Sequence, residues 1–300
     1  MQKFYKYYKH LKWKVIRAFE ITTIYLPVGY LGLVIFKKNV YKLRKNGPLG
    51  KGGVIHLVPD RVTRPFINRF GFQDIEVSKF LVDSIQSCEA KNKLLIDIGA
   101  NQGLQTLQIV NLLESSSLLD IICIEPYDIF FQMLKKNLEH IPNNITLINM
   151  AVDVKNSKKL IWSSKRNATA TLDKKLCFDK PSKLYSQYVA SLNVNSLISK
   201  YINLNELDCI FVKSDTDGSD ISIFNALLDS PLKFKIKSYA LEIIFSNFSN
   251  DQKVLFLKNI EKFSTWILLK KNGTILVKKA EIKSYILNGE GSDIINIFLT

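Results

Sequence analysis

The sequence predicts an α/β fold in which a mostly parallel β-sheet is covered by helices on both faces. Two observations predict it. Apolar runs of strand length alternate with segments of helical periodicity over most of the chain. In addition, a glycine-spaced turn joins one of these runs directly to the start of a helix. Such alternation favours right-handed crossovers between parallel strands.

The elements can be assigned in order from the apolar pattern. A helix with apolar positions between residues 72 and 85 leads into the core. The predicted strands cover residues 93–98, 119–124, 145–151, 209–213, 238–244, 265–270, 274–278 and 293–299. The predicted helices cover residues 103–113, 127–140, 219–228 and 251–263. Lys271, Asn272 and Gly273 predict a hairpin between the 265–270 and 274–278 strands. Residues 168–205 are less regular and are either a lid over a substrate or a solvated connection.

Length and composition allow one main domain with an appendage. The 300 residues, of which 47% are apolar, can bury one sizeable core. Glycine and proline are dense between residues 46 and 53, which is typical of a linker. We therefore expect an N-terminal arm over residues 1–53 and the main domain over residues 54–300.

The arm carries most of the positive charge. The net charge is +15, and residues 1–45 contain eleven Lys or Arg and a single acid, Glu20, so ten of these charges lie there. Residues 21–36 are uncharged but shorter than the about 20 apolar residues of a spanning helix, and no small-residue cleavage site follows Phe36. The aromatic and lysine-rich beginning suits a membrane interface. We expect peripheral attachment to the inner face of a membrane; the alternative is an apolar helix packed on the domain.

The cysteines indicate a reducing compartment. Cys88, Cys123, Cys177 and Cys209 form no Cys-x-x-Cys pair and have no histidine nearby, so neither a zinc site nor a disulfide framework is indicated. Cys123 and Cys209 lie inside apolar runs, which predicts buried free thiols and a cytoplasmic location.

Residues 97–103, called the glycine turn below, predict a binding site for a nucleotide-like cofactor. Gly99 and Gly103 permit positive φ and close backbone approach. The N–H groups that open the following helix can bind a carboxylate or phosphate. Glu125 ends the next apolar run and can accept from both hydroxyls of a ribose, as an acid about 20 residues after the glycines does in dinucleotide folds. The alternative is that the glycines only form a tight turn.

Four acids follow the next two strands of the predicted sheet. Asp215, Asp217 and Asp220 come just after the 209–213 run, and Glu242 lies near the end of the 238–244 run. Because carboxyl ends of parallel strands meet at one edge, we expect these acids to lie together. They can raise one another's pKa and provide a base, or bind Mg²⁺ or Ca²⁺. A third alternative is that Asp217 and Asp220 only cap the following helix. The three histidines lie outside the predicted strand ends, so a histidine base is not expected.

Together these segments resemble the FkbM-type S-adenosylmethionine-dependent methyltransferases. The resemblance covers roughly residues 72–300 and rests on Asp97-Ile-Gly-Ala-Asn101-x-Gly103, Ile124-Glu125-Pro126, Asn137, residues 149–153, residues 212–220 and residues 239–242. It implies a Rossmann-like class I sheet with an antiparallel C-terminal hairpin, and S-adenosylmethionine as the cofactor. The methionine portion of that cofactor would be held by Asp97, Gly99, Ala100, Asn101 and Gly103. The resemblance assigns the ribose to Glu125 and the adenine edge to the backbone around Ala151.

The resemblance further implies O-methylation of a sugar hydroxyl in a glycan or glycolipid precursor. Asp215, Asp217 and Glu242 are then the catalytic candidates, with a divalent cation as an open alternative. Asp217 stands where the family has glutamate, and Asn195 replaces an aspartate, so substrate identity does not transfer. RNA methylation, with the arm gripping phosphates, is the second interpretation, but the mild charge of the remaining chain disfavours nucleic acid as a partner. The third is a non-catalytic membrane-associated scaffold.

Overall fold

The computed structural model describes residues 33–37, 40–43, 49, 53–58, 63, 67, 74–113, 119–164, 170–172, 174, 184–245, 248–270, 275–288 and 294–300. The first 32 residues of the predicted arm, Cys177 and the predicted hairpin turn at residues 271–273 lie outside this range. Within it, no helix combines the length and the apolar character that crossing a bilayer requires.

Strands and helices alternate between residues 93 and 148 and again between residues 209 and 270, as the sequence predicts, whereas the described strands between residues 145 and 192 follow one another directly. The strands are β1 (Leu33–Lys37), β2 (Val40–Leu43), β3 (Val54–His56), β4 (Lys93–Ile98), β5 (Asp120–Ile124), β6 (Ile145–Ile148), β7 (Ala151–Val152), β8 (Ser157–Ser164), β9 (Ala170–Thr171), β10 (Leu184–Leu192), β11 (Cys209–Ser214), β12 (Ile236–Ile244), β13 (Trp266–Lys270), β14 (Ile275–Leu276) and β15 (Ile294–Leu299). The α-helices are α1 (Ile75–Gln86), α2 (Leu104–Leu112), α3 (Asp128–Leu138), α4 (Val194–Tyr201), α5 (Asp220–Asp229), α6 (Asn250–Ile260) and α7 (Lys279–Asn288). A 3₁₀ turn, Pro231–Phe234, follows α5.

Among the described residues, the largest sheet has eight strands in the order β14-β13-β15-β12-β11-β4-β5-β6. The neighbours β6, β5, β4, β11 and β12 are parallel. β15 runs antiparallel to both β12 and β13, and β14 is antiparallel to β13. The predicted Rossmann-like α/β fold, mostly parallel with an antiparallel C-terminal addition, is thereby confirmed.

Alternate residues of the central strands face two separate apolar cores. Leu94, Ile96 and Ile98 of β4 pack in one core with side chains of α4, α5, α6 and α7. Leu95, between them, lies in the other core with side chains of α1, α2 and α3. Since successive residues of a strand point to opposite faces, helices cover both faces of the sheet. Cys123 and Cys209 are buried in the second core, as predicted.

A smaller four-stranded sheet, in the order β7-β10-β8-β9, occupies much of the region that the sequence left open. β8 and β10 pair antiparallel along their length. The predicted 145–151 strand is divided, because β6 ends at Ile148 and Ala151 belongs to β7, which pairs with β10. Ile161 of β8 and Val189 of β10 pack in one apolar cluster with Tyr127 and Phe130. Residues 184–201 are therefore a strand and a helix, which neither alternative for this region predicted.

The N-terminal strands form a three-stranded antiparallel sheet, β1-β2-β3. Residues 33–36, the last four of the uncharged run, are extended in β1, so the helical alternative is wrong for them. Tyr41 of β2 and Ile55 of β3 are buried in the same core as α1 and α2. The sheet has strands on both sides of residue 53, where the sequence predicts the boundary of the arm.

Candidate active site

The carboxyl ends of four parallel strands bring the predicted site residues to one edge of the sheet. The backbone N–H groups of Gly99 and Ala100, after β4, donate to the carbonyl of Ile124 at the end of β5 over 2.9 and 3.0 Å. On the other side, the Asp215 N–H donates to the Ile98 carbonyl over 3.0 Å. The glycine turn thus lies between Glu125 and the acids that follow β11.

The glycines of this turn are required by its backbone. Gly99 has φ 76°, and a Cβ there would lie 1.8 Å from the Asp215 carbonyl oxygen. Gly103 has φ 78°, and its Cβ would lie 2.7 Å from a terminal carbon of Leu134. Asn101 also adopts positive φ, at 51°, which asparagine tolerates better than most residues. The close approach of Gly99 to Asp215 explains why this strand connection needs glycine.

Asp97 is buried beneath the turn in an ion pair with Lys213, a residue to which sequence analysis gave no role. The Lys213 ammonium lies 3.1 Å from Asp97 Oδ1, 2.8 Å from the Gly99 carbonyl and 3.7 Å from Asp215 Oδ2. Thr106 donates to the second oxygen of Asp97 over 2.5 Å. Burial lowers the pKa of Lys213, but attraction to Asp97 and Asp215 outweighs it and holds this pKa above its usual value. Both oxygens of the Asp97 carboxylate therefore already have partners, Lys213 and Thr106. The predicted contact of Asp97 with a cofactor stays a prediction.

Glu125 is joined directly to the glycine turn. Its Oε2 accepts the Asn101 N–H over 2.9 Å, and its Oε1 accepts the Tyr127 N–H over 2.8 Å. The side chain is only 4% exposed. Burial raises the pKa of Glu125 to about 7, against the effect of the two N–H groups and of Lys213. Each carboxylate oxygen has a second lone pair, so both can still accept a ribose hydroxyl.

Ala151 lies on the same side of the sheet, just beyond the end of β6. It is buried in a cluster with Tyr127 and Phe130, whose rings meet edge to face at 5.0 Å between centroids. Tyr127 is two residues after Glu125 and was not predicted as a site residue. Ala151, to which the resemblance assigns the adenine edge, is therefore packed against aromatic side chains from the start of α3.

The acid cluster, defined as Asp215, Asp217 and Glu242, is a group of three side chains with converging oxygens. One carboxylate oxygen from each lies within 4.8 Å of the other two. Burial raises the pKa of Asp217 to about 8, and repulsion by Asp215 and Asp220 adds to this rise. Burial, and then repulsion by Asp215 and Asp217, holds the pKa of Glu242 well above its usual range. Such a cluster can hold a proton near neutral pH or bind a cation.

Asp220 has a different position from the acid cluster. It is 2% exposed, and one oxygen accepts the Ser214 hydroxyl over 2.6 Å and the Thr216 N–H over 3.0 Å. Asp220 is the first residue of α5 and organises the loop before this helix. Burial raises its pKa to about 6, although the bond from Ser214 lowers it. By contrast, no hydrogen bond to the Asp217 carboxylate is found among the described residues, so the capping alternative does not account for Asp217.

Three further polar side chains adjoin the acid cluster and were missed by sequence analysis. Asp74, Gln105 and Asn296 line a cavity of about 10 Å³ together with Asp215 and Glu242. Asn296 is the β15 partner of Glu242 in the sheet register. Asp74 precedes α1 with a positive φ of 43°. These residues come from elements far apart along the chain, so no local pattern could have indicated them.

Comparison with known proteins gives structural neighbours alone. Neither a protein-family model nor a curated protein matches the sequence. A precorrin-6y C5,15-methyltransferase from Geobacter metallireducens is 11% identical with TM-score 0.35, over 75% of this chain and 87% of that one. The O-methyltransferase TomG from Streptomyces achromogenes, in complex with SAM, is 8% identical with TM-score 0.39, over 76% and 80%. An O-methyltransferase from Bacillus cereus, in complex with SAH, is 14% identical with TM-score 0.35, over 76% and 81%. Likeness of this size assigns no activity, and the strand order is what identifies the fold.

Proposed function

We propose that the chain is an S-adenosylmethionine-dependent methyltransferase. The observation that carries the proposal is the direct joining of the glycine turn to Glu125, by the 2.9 Å bond from the Asn101 N–H, with Asp215 packed against Gly99 on the other side. This arrangement places the N-terminus of α2, an acid for a ribose and further acids together at one edge of the sheet. The motifs that resemble FkbM-type methyltransferases come from these same residues.

The donor site fits a molecule with an anionic end, a sugar and a positive centre. The N-terminus of α2, behind Gly103, provides a partial positive charge for a carboxylate. Glu125 provides oxygens for two neighbouring hydroxyls. At this edge, within the described part of the chain, the acids after β11 outnumber the ammonium of Lys213, so the edge also attracts a positive sulfur. Bound there, S-adenosylmethionine would supply a methyl group on a sulfonium for in-line displacement.

The acid cluster supplies the proton chemistry on the acceptor side. A hydroxyl that attacks the methyl carbon must lose its proton as the carbon–sulfur bond breaks and sulfur keeps the bonding electrons. A carboxylate with a pKa near the working pH is suited to accept that proton, and the pKa of Asp217 is raised to about 8. Asp215 and Glu242 flank it within 4.8 Å and can hold a neighbouring hydroxyl of the acceptor. We assign Asp217 as the base and the other two acids to acceptor binding.

The acceptor in this proposal is a sugar hydroxyl of a glycan or glycolipid precursor at the inner face of a membrane. Several carboxylates at one edge of the sheet suit a ligand that is rich in hydroxyl groups, each of which donates a hydrogen bond. Phosphates of RNA would be repelled by the same acids. The basic arm predicted from the sequence would keep the enzyme near anionic lipid and its membrane-bound acceptor.

Titration of the protein with S-adenosylmethionine by calorimetry tests the donor site. We expect a dissociation constant on the order of micromolar, which corresponds to about 8 kcal/mol. Glu125→Ala should abolish binding, because it removes the ribose acceptor and leaves the Asn101 and Tyr127 N–H groups without their partner. Glu139→Ala is the matched control, since Glu139 is half-exposed near the end of α3. If the wild-type chain does not bind, the non-catalytic scaffold becomes the better interpretation.

Labelled S-adenosylmethionine and extracted cell fractions test the acceptor. We expect label to enter glycans or glycolipids and to depend on Asp217, with Asp217→Asn slowing transfer while Asp251→Asn, on the exposed start of α6, leaves it unchanged. Incorporation into RNA instead would replace the sugar acceptor but keep the methyltransferase proposal.

A further inference from the structure

The small cavity beside the acid cluster is of ionic size. It measures about 10 Å³ and lies where α1 and α2 meet the ends of β11, β12 and β15. About this volume is needed to hold one water molecule. Its polar lining consists of Asp74, Gln105, Lys213, Ser214, Asp215, Glu242 and Asn296. The cavity is therefore too small for an organic ligand and has the lining of an ion site.

Counted over the described residues, the charges around this cavity do not balance. Among the described residues, Lys213 is the one ammonium in the lining, and it lies closer to Asp97, at 3.1 Å, than to Asp215, at 3.7 Å. The positive charge of Lys213 therefore neutralises mainly the Asp97 carboxylate. Asp215, Asp217 and Glu242 remain, with the carboxylate of Asp220 also near Glu242. Carboxylates held together away from water require protons or a cation.

Gln105 gives a second, independent indication of a ligand. It is only 8% exposed, and its Oε1 has no hydrogen-bond partner among the described residues. A buried carbonyl oxygen without a partner costs free energy. In this position, on the first turn of α2 and in the lining of the same cavity, the oxygen is available to a cation. Amide carbonyls are ordinary ligands of Ca²⁺ and Mg²⁺.

We propose that Asp215, Asp217 and Glu242, together with the carbonyl of Gln105, bind one divalent cation, Mg²⁺ or Ca²⁺. The three carboxylate oxygens lie within 4.8 Å of one another. Oxygens on opposite sides of one ion are about 4.2 Å apart for Mg²⁺ and about 4.8 Å apart for Ca²⁺, given metal–oxygen distances of about 2.1 and 2.4 Å. The cluster thus has the span of a coordination shell, and small side-chain movements adapt it to the smaller ion.

The cation would also take part in methyl transfer, and this role rests on the proposed function. Bound at these oxygens, it would coordinate two neighbouring hydroxyls of the acceptor sugar and make the attacking hydroxyl more acidic. The hydroxyl proton would leave to a carboxylate oxygen of the cluster that does not face the ion. Neutralising the cluster also removes the repulsion among its members.

Titration of the full chain with the metal alone tests the inference. After treatment with a chelator, the protein is titrated separately with MgCl₂, CaCl₂ and MnCl₂ without S-adenosylmethionine, and we expect one cation per chain. Asp217→Asn and Glu242→Gln should each weaken binding by at least about tenfold, the loss typical of residues that only orient metal ligands. The exposed Asp251→Asn should leave binding unchanged. Gln105→Glu should tighten binding, because it adds a charged ligand at the same position.

Absence of binding by the wild-type chain at millimolar Mg²⁺, Ca²⁺ and Mn²⁺ would overturn the inference, as would binding that survives both Asp217→Asn and Glu242→Gln. If those two variants fail to fold, the melting temperature of Gln105→Glu is measured with and without metal. A cation site predicts that metal raises the melting temperature of this variant more than that of the wild type, and an equal or smaller rise would overturn the inference. Binding of S-adenosylmethionine in the presence of chelator is measured alongside. A chain that binds the cofactor but no metal retains the proposed function, and one that binds metal but no cofactor retains the cation site.

Discussion

Lys213 connects the glycine turn to the acid cluster through a single buried ammonium. It lies at the β11 position beside Asp97 in the parallel register, so the two charges are held side by side by the sheet itself. The Lys213 side chain is only 7% exposed, so water does not compete for its ammonium. A charged residue in an apolar strand is rarely buried unless it is paired, and this rule is the sequence signal that could have identified it.

Lys213→Met should lower the free energy of unfolding by about 3–5 kcal/mol, the range for removing one partner of a buried ion pair. Denaturant unfolding measures the loss. The exposed Lys258→Met should change stability by less than about 0.5 kcal/mol. Equal effects of the two substitutions would contradict a structural ion pair.

Three carboxyl groups make the ligand-free protein less stable as the pH rises. The pKa values of Asp220, Glu125 and Asp217 are raised to about 6, 7 and 8. The folded state therefore keeps protons that the unfolded chain releases near its ordinary carboxyl pKa of about 4. Stability from these groups is complete below about pH 4 and is lost as the pH rises through about 6 to 8.

We therefore expect the melting temperature to fall between pH 5 and pH 8.5 in the presence of chelator. Asp217→Asn should flatten this dependence, because it removes the group with the highest pKa of the three, and Asp251→Asn should not. Thermal unfolding followed by circular dichroism measures the slope. A slope that is the same in wild type and Asp217→Asn would show that Asp217 does not hold its proton in the folded state.

At the scale of elements, hydrogen bonds of Asn137 connect α3 to β3 and to the glycine turn. The Asn137 Oδ1 accepts the His56 N–H over 2.6 Å, and its Nδ2 donates to the carbonyls of His56 and Gln102 over 2.9 and 2.7 Å. Val58 adds a bond from its N–H to Gln102 Oε1 over 2.5 Å. The N-terminal sheet thereby supports the turn from outside.

Asn137→Ala should lower the free energy of unfolding by about 1–3 kcal/mol, since it removes three hydrogen bonds to the backbone of His56 and Gln102. Amide hydrogen exchange should become faster at residues 54–58, because β3 loses its connection to α3. Asn111→Ala, at an exposed position of α2, is the control. Unchanged exchange at residues 54–58 would show that apolar packing alone holds β3.

The elements that sequence analysis found and those it missed differ in how they are buried. The central strands were predicted because both faces pack, as in β4, where five consecutive residues from Leu94 are buried. β10 was missed because its packing changes from residue to residue, with Val189 buried and Tyr188 65% exposed. α7 was missed because only Ile282 and Ile286 of its ten residues are buried. A thin apolar stripe is too weak a signal for a prediction from sequence.

At the scale of the whole molecule, the two cores leave the functional edge of the sheet polar. The arm is the part of the chain to which we assign membrane attachment, and residues 1–32 contain six Lys or Arg with one acid. β1 begins at Leu33 and β2 pairs with β3, so a truncation that spares the N-terminal sheet must end at residue 32.

Full-length protein should float with vesicles that contain anionic lipid, and the chain without residues 1–32 should not, because each Lys or Arg near such a surface contributes about 1 kcal/mol. Neutral vesicles are the control for apolar insertion, and added salt should weaken only the electrostatic part. Cofactor binding by the truncated chain confirms that it is folded. Equal flotation of the two proteins would refute membrane attachment through the arm.

The sequence by itself determined the order of the central strands and their helices, the glycine turn, and the acids at the ends of β5, β11 and β12. Backbone conformation and the alternation of apolar residues depend on neighbours in the chain, so local patterns record them. Tertiary structure alone decided that Lys213 bonds to Gly99 across 114 positions and that Gln105 and Asn296 face the acid cluster. Those contacts follow from strand order and register, which bring distant residues together by packing that no local segment encodes.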